Sequence, residues 1–343
     1  MTTPTTRGSS NTRNTLSSIK WRDLIKYGLP LLALAVYPLV SDGYSVGLLA
    51  KFLTYALLAL SLDLLWGYAG ILSFAHGVFF GLGAYCLALS LKYWGDVPGV
   101  TYIGFLLAIL VPAFVAFLLG YAMFSGGVSG VYFAIVTFAL GAIFQSITIV
   151  WIDITGGLNG LYGFPNPTLG IPRVWELVIS DGSTAAYYLI AIVLVLVYVI
   201  AHRLVRSPFG QTLRAINSNE QRLLSFGYPV PKVKLAVFVI SCAIAGLSGA
   251  LYVPVGFVSA EIMSILFSTA VIVWVAVGGR GTLYGAVLGA LLVNYLQVYM
   301  SDILTYYWYL IVGFFFTVVV LVLPNGLMGV FRQWSDRLAR QRG

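Results

Sequence analysis

Charge is what this chain has least of. Of its 343 residues, 9% are Asp, Glu, Lys or Arg, against about 25% in a soluble domain. So few charged side chains cannot coat a water-facing particle of this size, which excludes a soluble enzyme. A disordered scaffold is excluded by 60% hydrophobic residues and a mean hydropathy of +0.94. Cysteine is nearly absent. Cys86 and Cys242 both sit inside apolar runs, so they read as small buried hydrophobes and not as a disulfide framework. There are only 2 histidines and no HExxH pattern, which argues against a catalytic metal site. No GxxxxGK[ST] run is present, so no phosphate cradle of the Walker type is encoded. Hydrolysis or group transfer would need a cluster of carboxylates or nucleophiles, and none is visible. The expectation is a non-catalytic chain without a cofactor.

What is present is apolar length. A helix needs about 20 mostly apolar residues to cross a hydrocarbon core of about 30 Å. That ruler gives ten candidate spans, near 27–42, 47–66, 71–91, 102–123, 130–150, 185–204, 233–254, 264–278, 283–300 and 307–324. Several are short or broken by glycine. The runs are continuous and not alternating, so spanning strands are not expected. The predicted fold class is an all-α polytopic membrane protein. Residues 1–26 read as a disordered cytoplasmic tail, 27–324 as the membrane domain with a cytoplasmic loop at 205–232, and 325–343 as a basic cytoplasmic tail. Ala33-Leu34-Ala35 resembles a signal-peptide cleavage site, but it lies mid-run, and a retained first span is the favoured reading.

Charge placement supports this topology. With a cytoplasmic N-terminus, the inner side collects Arg7, Arg13, Lys20, Arg22 and Lys26, then Arg203, Arg206, Arg214, Arg222, Lys232 and Lys234. Arg280, Arg332, Arg337, Arg340 and Arg342 complete it. Outside fall Lys92 and Arg173, with Lys51 near the outer end of the second span. This asymmetry is the positive-inside pattern, and it accounts for the net charge of +8 without invoking nucleic acid.

Three segments depart from a plain helical bundle. In RSPFGQTLRAINSNEQRLLSFGYPVPK, residues 206–232, Ser207-Pro208 has the form of an N-cap with Pro at N1. Leu213, Ile216, Leu223 and Leu224 recur at helical spacing, and Gly227 with Pro229 and Pro231 closes the helix. One short amphipathic helix or a pair is expected, either resting on anionic headgroups or docking a cytoplasmic partner. In the second segment Gly67, Gly70, Gly77, Gly81 and Gly83 cluster around Ser73 and His76. Glycines permit both close helix packing and a broken helix lining a cavity. In the third, Gly285 and Gly289 form a GxxxG spacing after the turn Gly278-Gly279-Arg280-Gly281, a mark of close packing or self-association.

Ionisable residues inside the spans are Lys51, Asp63 and Glu261. Such residues are normally paired or line a pathway. Lys51 and Asp63 lie 12 positions apart, about 18 Å along a helix, so they do not pair with each other.

These segments together resemble a known family. GYAGILSFAHGVFFGLGAY, SPFGQTLRAINSNE with Gly227, and GGRGTLYGAVLGALLVN are similar to permease subunits of branched-chain amino-acid-type ABC importers, over about residues 45–330. Within that family LYVPVGFVSAEIMS and VIVWVAVGGRGTLYGA resemble the urea-importer permease more than the leucine/isoleucine/valine one. The resemblance implies an ATP-driven, binding-protein-dependent import of urea across a bacterial inner membrane, with branched-chain amino acids or short amides as the alternative. It implies as partners a second homologous permease, two cytoplasmic ATPases, an external binding protein and membrane lipid. It places a substrate pathway at GILSFAH, with Gly70, Ser73 and His76, and Asp63 and Glu261 are added to that pathway as carboxylates inside the spans. It places ATPase coupling at Phe209, Leu213, Arg214, Glu220 and Gly227, with the apolar face of the loop seated in a cleft of the ATPase. Both termini would be cytoplasmic. Gln221-Arg222-Leu223-Leu224 stands where the family usually carries small residues.

Overall fold

The structure, a computed structural model, describes residues 32–171, 175–303, 313 and 326–329. The expected N-terminal tail and most of the tenth span and C-terminal tail lie outside the described residues, as does Arg173. The chain divides into two units, Met1–Asp42 and Gly43–Gly343. Of the first, residues 32–40 form a helix, α1.

The second unit runs α2 (Gly43–Asp63), a π-turn (Leu64–Tyr68), α3 (His76–Trp94), α4 (Val100–Ser125), α5 (Gly130–Val150) and the short α6 (Ile152–Thr155). Then come β1 (Thr168–Ile171), β2 (Trp175–Val178), α7 (Thr184–Arg206), α8 (Pro208–Ser218), α9 (Glu220–Ser225) and α10 (Val230–Tyr252). A 3-10 turn (Ala260–Met263), α11 (Ile265–Gly278) and α12 (Leu283–Ile303) follow. Among the described residues 7 helices are long and apolar enough to cross a membrane, and α11 is a shorter apolar helix of 14 residues. The protein is an all-α polytopic membrane protein. Spans two to nine of the sequence reading fall on these helices. The largest shift is the third, read from residue 71, whose helix starts at His76.

Helix α2 is the centre. Leu53, Leu57, Leu58, Leu60 and Leu62, with Leu64 and Leu65 of the π-turn that continues it, are fully buried, so a helix apolar on every side has found protein on every side. By contrast α4 and α5 turn Leu110, Phe114, Tyr121, Tyr132, Ile135 and Ile143 outward, as a lipid-facing surface would. Glycine sets the closest approaches. A Cβ at Gly83 would overlap the carbonyl of Gly246, and one at Gly249 would overlap that of Phe80, so α3 and α10 pack backbone to backbone.

Two details sharpen the sequence reading. Strands do occur: β1 and β2 pair antiparallel outside the spans, with Thr168 opposite Val178 and Gly170 opposite Glu176. The pair is tied to α4 through Thr168 N–H to Thr101 Oγ1 at 3.1 Å and Tyr102 O–H to Gly170 O at 2.9 Å. The GxxxG of α12 is spent within the chain and is not a free self-association face. A Cβ at Gly285 would lie 2.5 Å from Gly278 O, and one at Gly289 2.7 Å from Gly278 N, so α12 packs on α11 there.

Candidate translocation and coupling site

Between the π-turn and α3 the chain stops being helical. Gly70 turns it with φ +73°, and residues 70–75 then run without helical structure to His76. One end of this segment lies beside Asn217 of α8. The other end, His76, bonds Ser241, which lies 11 positions into α10 from Val230, about 16 Å along a helix. The segment therefore leaves the backbone ladder interrupted between the π-turn and α3. Phe74 N–H is satisfied by Thr137 Oγ1 at 3.1 Å and Ala75 N–H by Ser73 Oγ at 3.3 Å. Among the described residues no hydrogen bond reaches the carbonyls of Ile71, Leu72, Ser73 or Phe74. Open backbone acceptors at membrane depth are tolerated where they line a cavity or are shielded by protein.

Ser73 is thus a local turn-former as well as a pathway candidate, and it is buried. His76 is fully buried at the start of α3. Ser241 Oγ donates its single proton to Ser61 O at 2.5 Å, so it must accept from His76 Nε2–H at 2.8 Å. That fixes the neutral tautomer and leaves Nδ1 as a buried acceptor without a partner. His76 ties α2, α3 and α10 together. Next to it Gly77 N–H donates to Ser268 Oγ of α11 at 3.1 Å. The first turns of α3 and α11 therefore meet, each preceded by an irregular segment.

Asp63, the last residue of α2, is fully buried. Its Oδ1 accepts Gly281 N–H at 2.7 Å, while Oδ2 has no partner. Arg280 lies 5.5 Å over the Trp66 ring, and a Cβ at Gly67 would sit 2.5 Å from Gly281 N. Glu261 is apart from this cluster. It is exposed in the 3-10 turn before α11, at the opposite end of the helices, within electrostatic range of Tyr55. Lys51, eight residues into α2, stands 5.8 Å from the Tyr252 ring. Of the five pathway candidates, Gly70, Ser73 and His76 share one continuous segment and Asp63 flanks it, whereas Glu261 stands alone.

The loop after α7 folds as a pair of helices. Ser207 Oγ accepts Gly210 N–H at 3.5 Å, Pro208 is the first residue of α8, and Gly227 has φ +78°. Asn219 caps α9 by accepting Arg222 N–H at 3.0 Å. The expected orientation is reversed, however. Leu213 and Ile216 are buried against the protein's own helices and Phe209 is half-buried, so α8 does not offer an apolar face outward. Arg214 turns back over Tyr68 at 5.4 Å. Glu220 pairs with the buried Lys234 of α10 at 2.5 Å, which makes it an anchor for α9. The exposed apolar groups are Leu224, Phe226 and Tyr228, at 48%, 74% and 50%. Phe226 and Tyr228 escaped the sequence reading. Their signal is two aromatics flanking a C-cap glycine in an otherwise polar loop.

The arrangement is that of a membrane permease: a helical bundle, a central unwound segment lined by neutral polar groups, and a basic end carrying a folded, partly apolar loop. The chain belongs to the family described as branched-chain amino acid transport system / permease component, whose profile matches residues 44–321. It is 32% identical over 328 residues to the high-affinity branched-chain amino acid transport system permease protein LivM of Salmonella typhimurium, covering 89% of this chain and 75% of the relative. The protein of that name from Escherichia coli K12 is 31% identical, with 88% and 74% covered. A probable branched-chain amino acid transport permease protein LivM of Methanocaldococcus jannaschii is 26% identical, with 69% and 75% covered. No solved structure matches the chain.

Proposed function

We propose that this chain is a non-catalytic permease subunit of an ATP-driven, binding-protein-dependent importer in a bacterial inner membrane. Its partners in this reading are a second homologous permease, two cytoplasmic ATPase subunits and an external substrate-binding protein. The observation that carries the reading is the contact between the α8–α9 loop and the start of the unwound segment, where Asn217 Nδ2 donates to Gly67 O at 3.4 Å. A loop that folds at the basic end, exposes apolar groups and touches the π-turn that leads into an irregular stretch of the core is built to pass a push inward. The basic residues Arg203, Arg206, Arg214, Arg222, Lys232 and Arg280 gather at that end, which supports a cytoplasmic face there. The ATPase docks, in this reading, on Leu224, Phe226 and Tyr228.

The names of the relatives favour branched-chain amino acids as the solute. A specific observation favours the second reading, urea. The Trp274–Thr282 run resembles the urea permease, and the groups around the unwound segment, Ser73, His76, Ser241 and Ser268, offer neutral hydrogen bonding without a fixed ion pair. A zwitterion would be met best by a cation and an anion, a neutral diamide by carbonyls and hydroxyls. Uptake of labelled leucine and labelled urea in cells deleted for the gene separates them, because only the true solute stops entering. Phe226→Asp tests the docking face. The variant is expected in the membrane at normal level but without co-purifying ATPase, and normal ATPase recovery overturns the assignment.

A further inference from the structure

The π-turn that ends α2 is held from two sides at once. On one side Asn217 of α8 donates to Gly67 O, and its side-chain oxygen occupies the place where a Cβ at Gly70 would fall. Asn217 therefore touches both ends of the Gly67–Gly70 step. Arg214, one turn earlier on α8, covers Tyr68 in the same π-turn. On the other side Asp63 holds Gly281, and Arg280 covers Trp66. The glycines leave no side-chain cushion between these layers. Closely packed contacts of this kind transmit a displacement because they cannot absorb it. A π-turn is a rare departure from the α-helix and is frequent at functional sites. Asp63 offers only one of its two oxygens to the contact, and Tyr68 of the same π-turn adds a bond to the backbone of Leu283 just beyond it.

We propose that Asn217 is the positioning residue through which a displacement of α8 reaches the unwound segment, and that the Asp63–Gly281 bond is the latch this displacement releases. This rests on the reading of α8–α9 as the loop that faces the ATPase. Asn217 touches no solute. It sets where Gly67 and Gly70 sit, and these set the direction in which residues 71–75 leave the π-turn. The latch gives the device two discrete states, bond made and bond broken, which a mechanical relay requires.

The test uses the complete importer, with both permeases, the ATPases and the binding protein, in proteoliposomes. Solute uptake and phosphate release are measured in the same vesicles, and the readout is solute moved per ATP hydrolysed. Asn217→Ala is expected to lower that ratio about fivefold or more, the low end of ordinary coupling energies, while phosphate release stays within about twofold. Asn217→Asp, which keeps the volume but loses the donor, is expected to follow it. Asp63→Ala is expected to raise phosphate release without binding protein, since the latch is gone. An unchanged ratio in both Asn217 variants overturns the relay. So does a parallel fall of uptake, hydrolysis and assembled complex, because that is a structural role. If the unmodified importer shows no ATP-dependent uptake of leucine or urea, the functional reading fails before any variant is compared.

Discussion

Gly67→Ala puts a single methyl group into the contact between the π-turn and the 279–282 turn. Its Cβ would overlap Asp63 Oδ1 and lie 2.5 Å from Gly281 N and 2.7 Å from Gly281 Cα, against an ordinary contact of 3.4 Å or more. The Asp63 carboxylate must therefore swing aside and the turn retreat by about 0.9 Å, the difference between contact radius and available space. The Asp63 to Gly281 bond starts at 2.7 Å, so that retreat carries it to about 3.6 Å, beyond hydrogen-bond range. Hydrogen bonds to a charged group contribute about 1.5–3 kcal/mol. Replacing a helical glycine by alanine returns up to about 1 kcal/mol. The net cost at this contact is then about 0.5–2 kcal/mol. Gly141→Ala is the internal control. It is also a helical glycine, but the nearest atoms to its Cβ are at 3.6 and 3.7 Å, so it is expected to be neutral or slightly stabilising. The assay is paired: membrane level with thermal aggregation in detergent, and solute uptake by the assembled importer. Gly67→Ala should lower uptake more than membrane level, while Gly141→Ala moves neither downward. Equal behaviour of the two variants would refute the argument from space at Gly67.

Three further outcomes follow from the same geometry. Gly83→Ala has no room against the Gly246 carbonyl. It should lose about 1–3 kcal/mol of stability by forcing α3 from α10, read as earlier thermal aggregation; a stability equal to Gly141→Ala contradicts the packing. Ser241→Ala strips His76 Nε2–H of its acceptor, which should cost about 1–3 kcal/mol as an unmet buried donor. In that case Ser241→Ala with His76→Phe should recover part of the loss, and no recovery in the double variant would show that the bond is not what holds the site. Glu220→Lys places a second cation against Lys234 and should reduce the folded amount in the membrane; pairing it with Lys234→Glu should restore it. Normal insertion of Glu220→Lys with lost uptake would instead return Glu220 to the ATPase contact.

Much of the fold was written in local pattern. Apolar runs gave the helices because a span must satisfy its own backbone in lipid, and that demand is legible residue by residue. The caps at Ser207-Pro208 and Gly227 were legible for the same reason, since capping is settled within a few residues. The start of α3 was not. Nothing in ILSFA is incompatible with a helix. The segment is held open by Thr137, 63 positions from Phe74, while Ser268, 191 positions from Gly77, and Ser241, 165 positions from His76, fix the helix start beyond it. Each of those ties is tertiary, and no spacing rule reports it.

The loop shows the same limit from the other side. Helical periodicity correctly marked Leu213 and Ile216 as one face, but periodicity says which residues share a face and not what covers it. The cover came from the chain's own helices, because α8 follows α7 after a single residue and has no slack to turn outward. Glu220 illustrates the consequence. An acidic residue at a helix start, beside an exposed arginine, reads as a surface contact. Lys234, placed 5 residues into α10, is buried and needs a counter-charge, and Glu220 is the carboxylate that meets it. Glu220 is thus already committed, and in the proposed reading the ATPase meets the apolar edge at Leu224, Phe226 and Tyr228. An assembly held by such an edge should resist salt more than one held by ion pairs. Raising ionic strength to about 1 M, where the screening length falls to about 3 Å, should therefore leave the ATPase bound, and its release by salt would return the contact to the arginines.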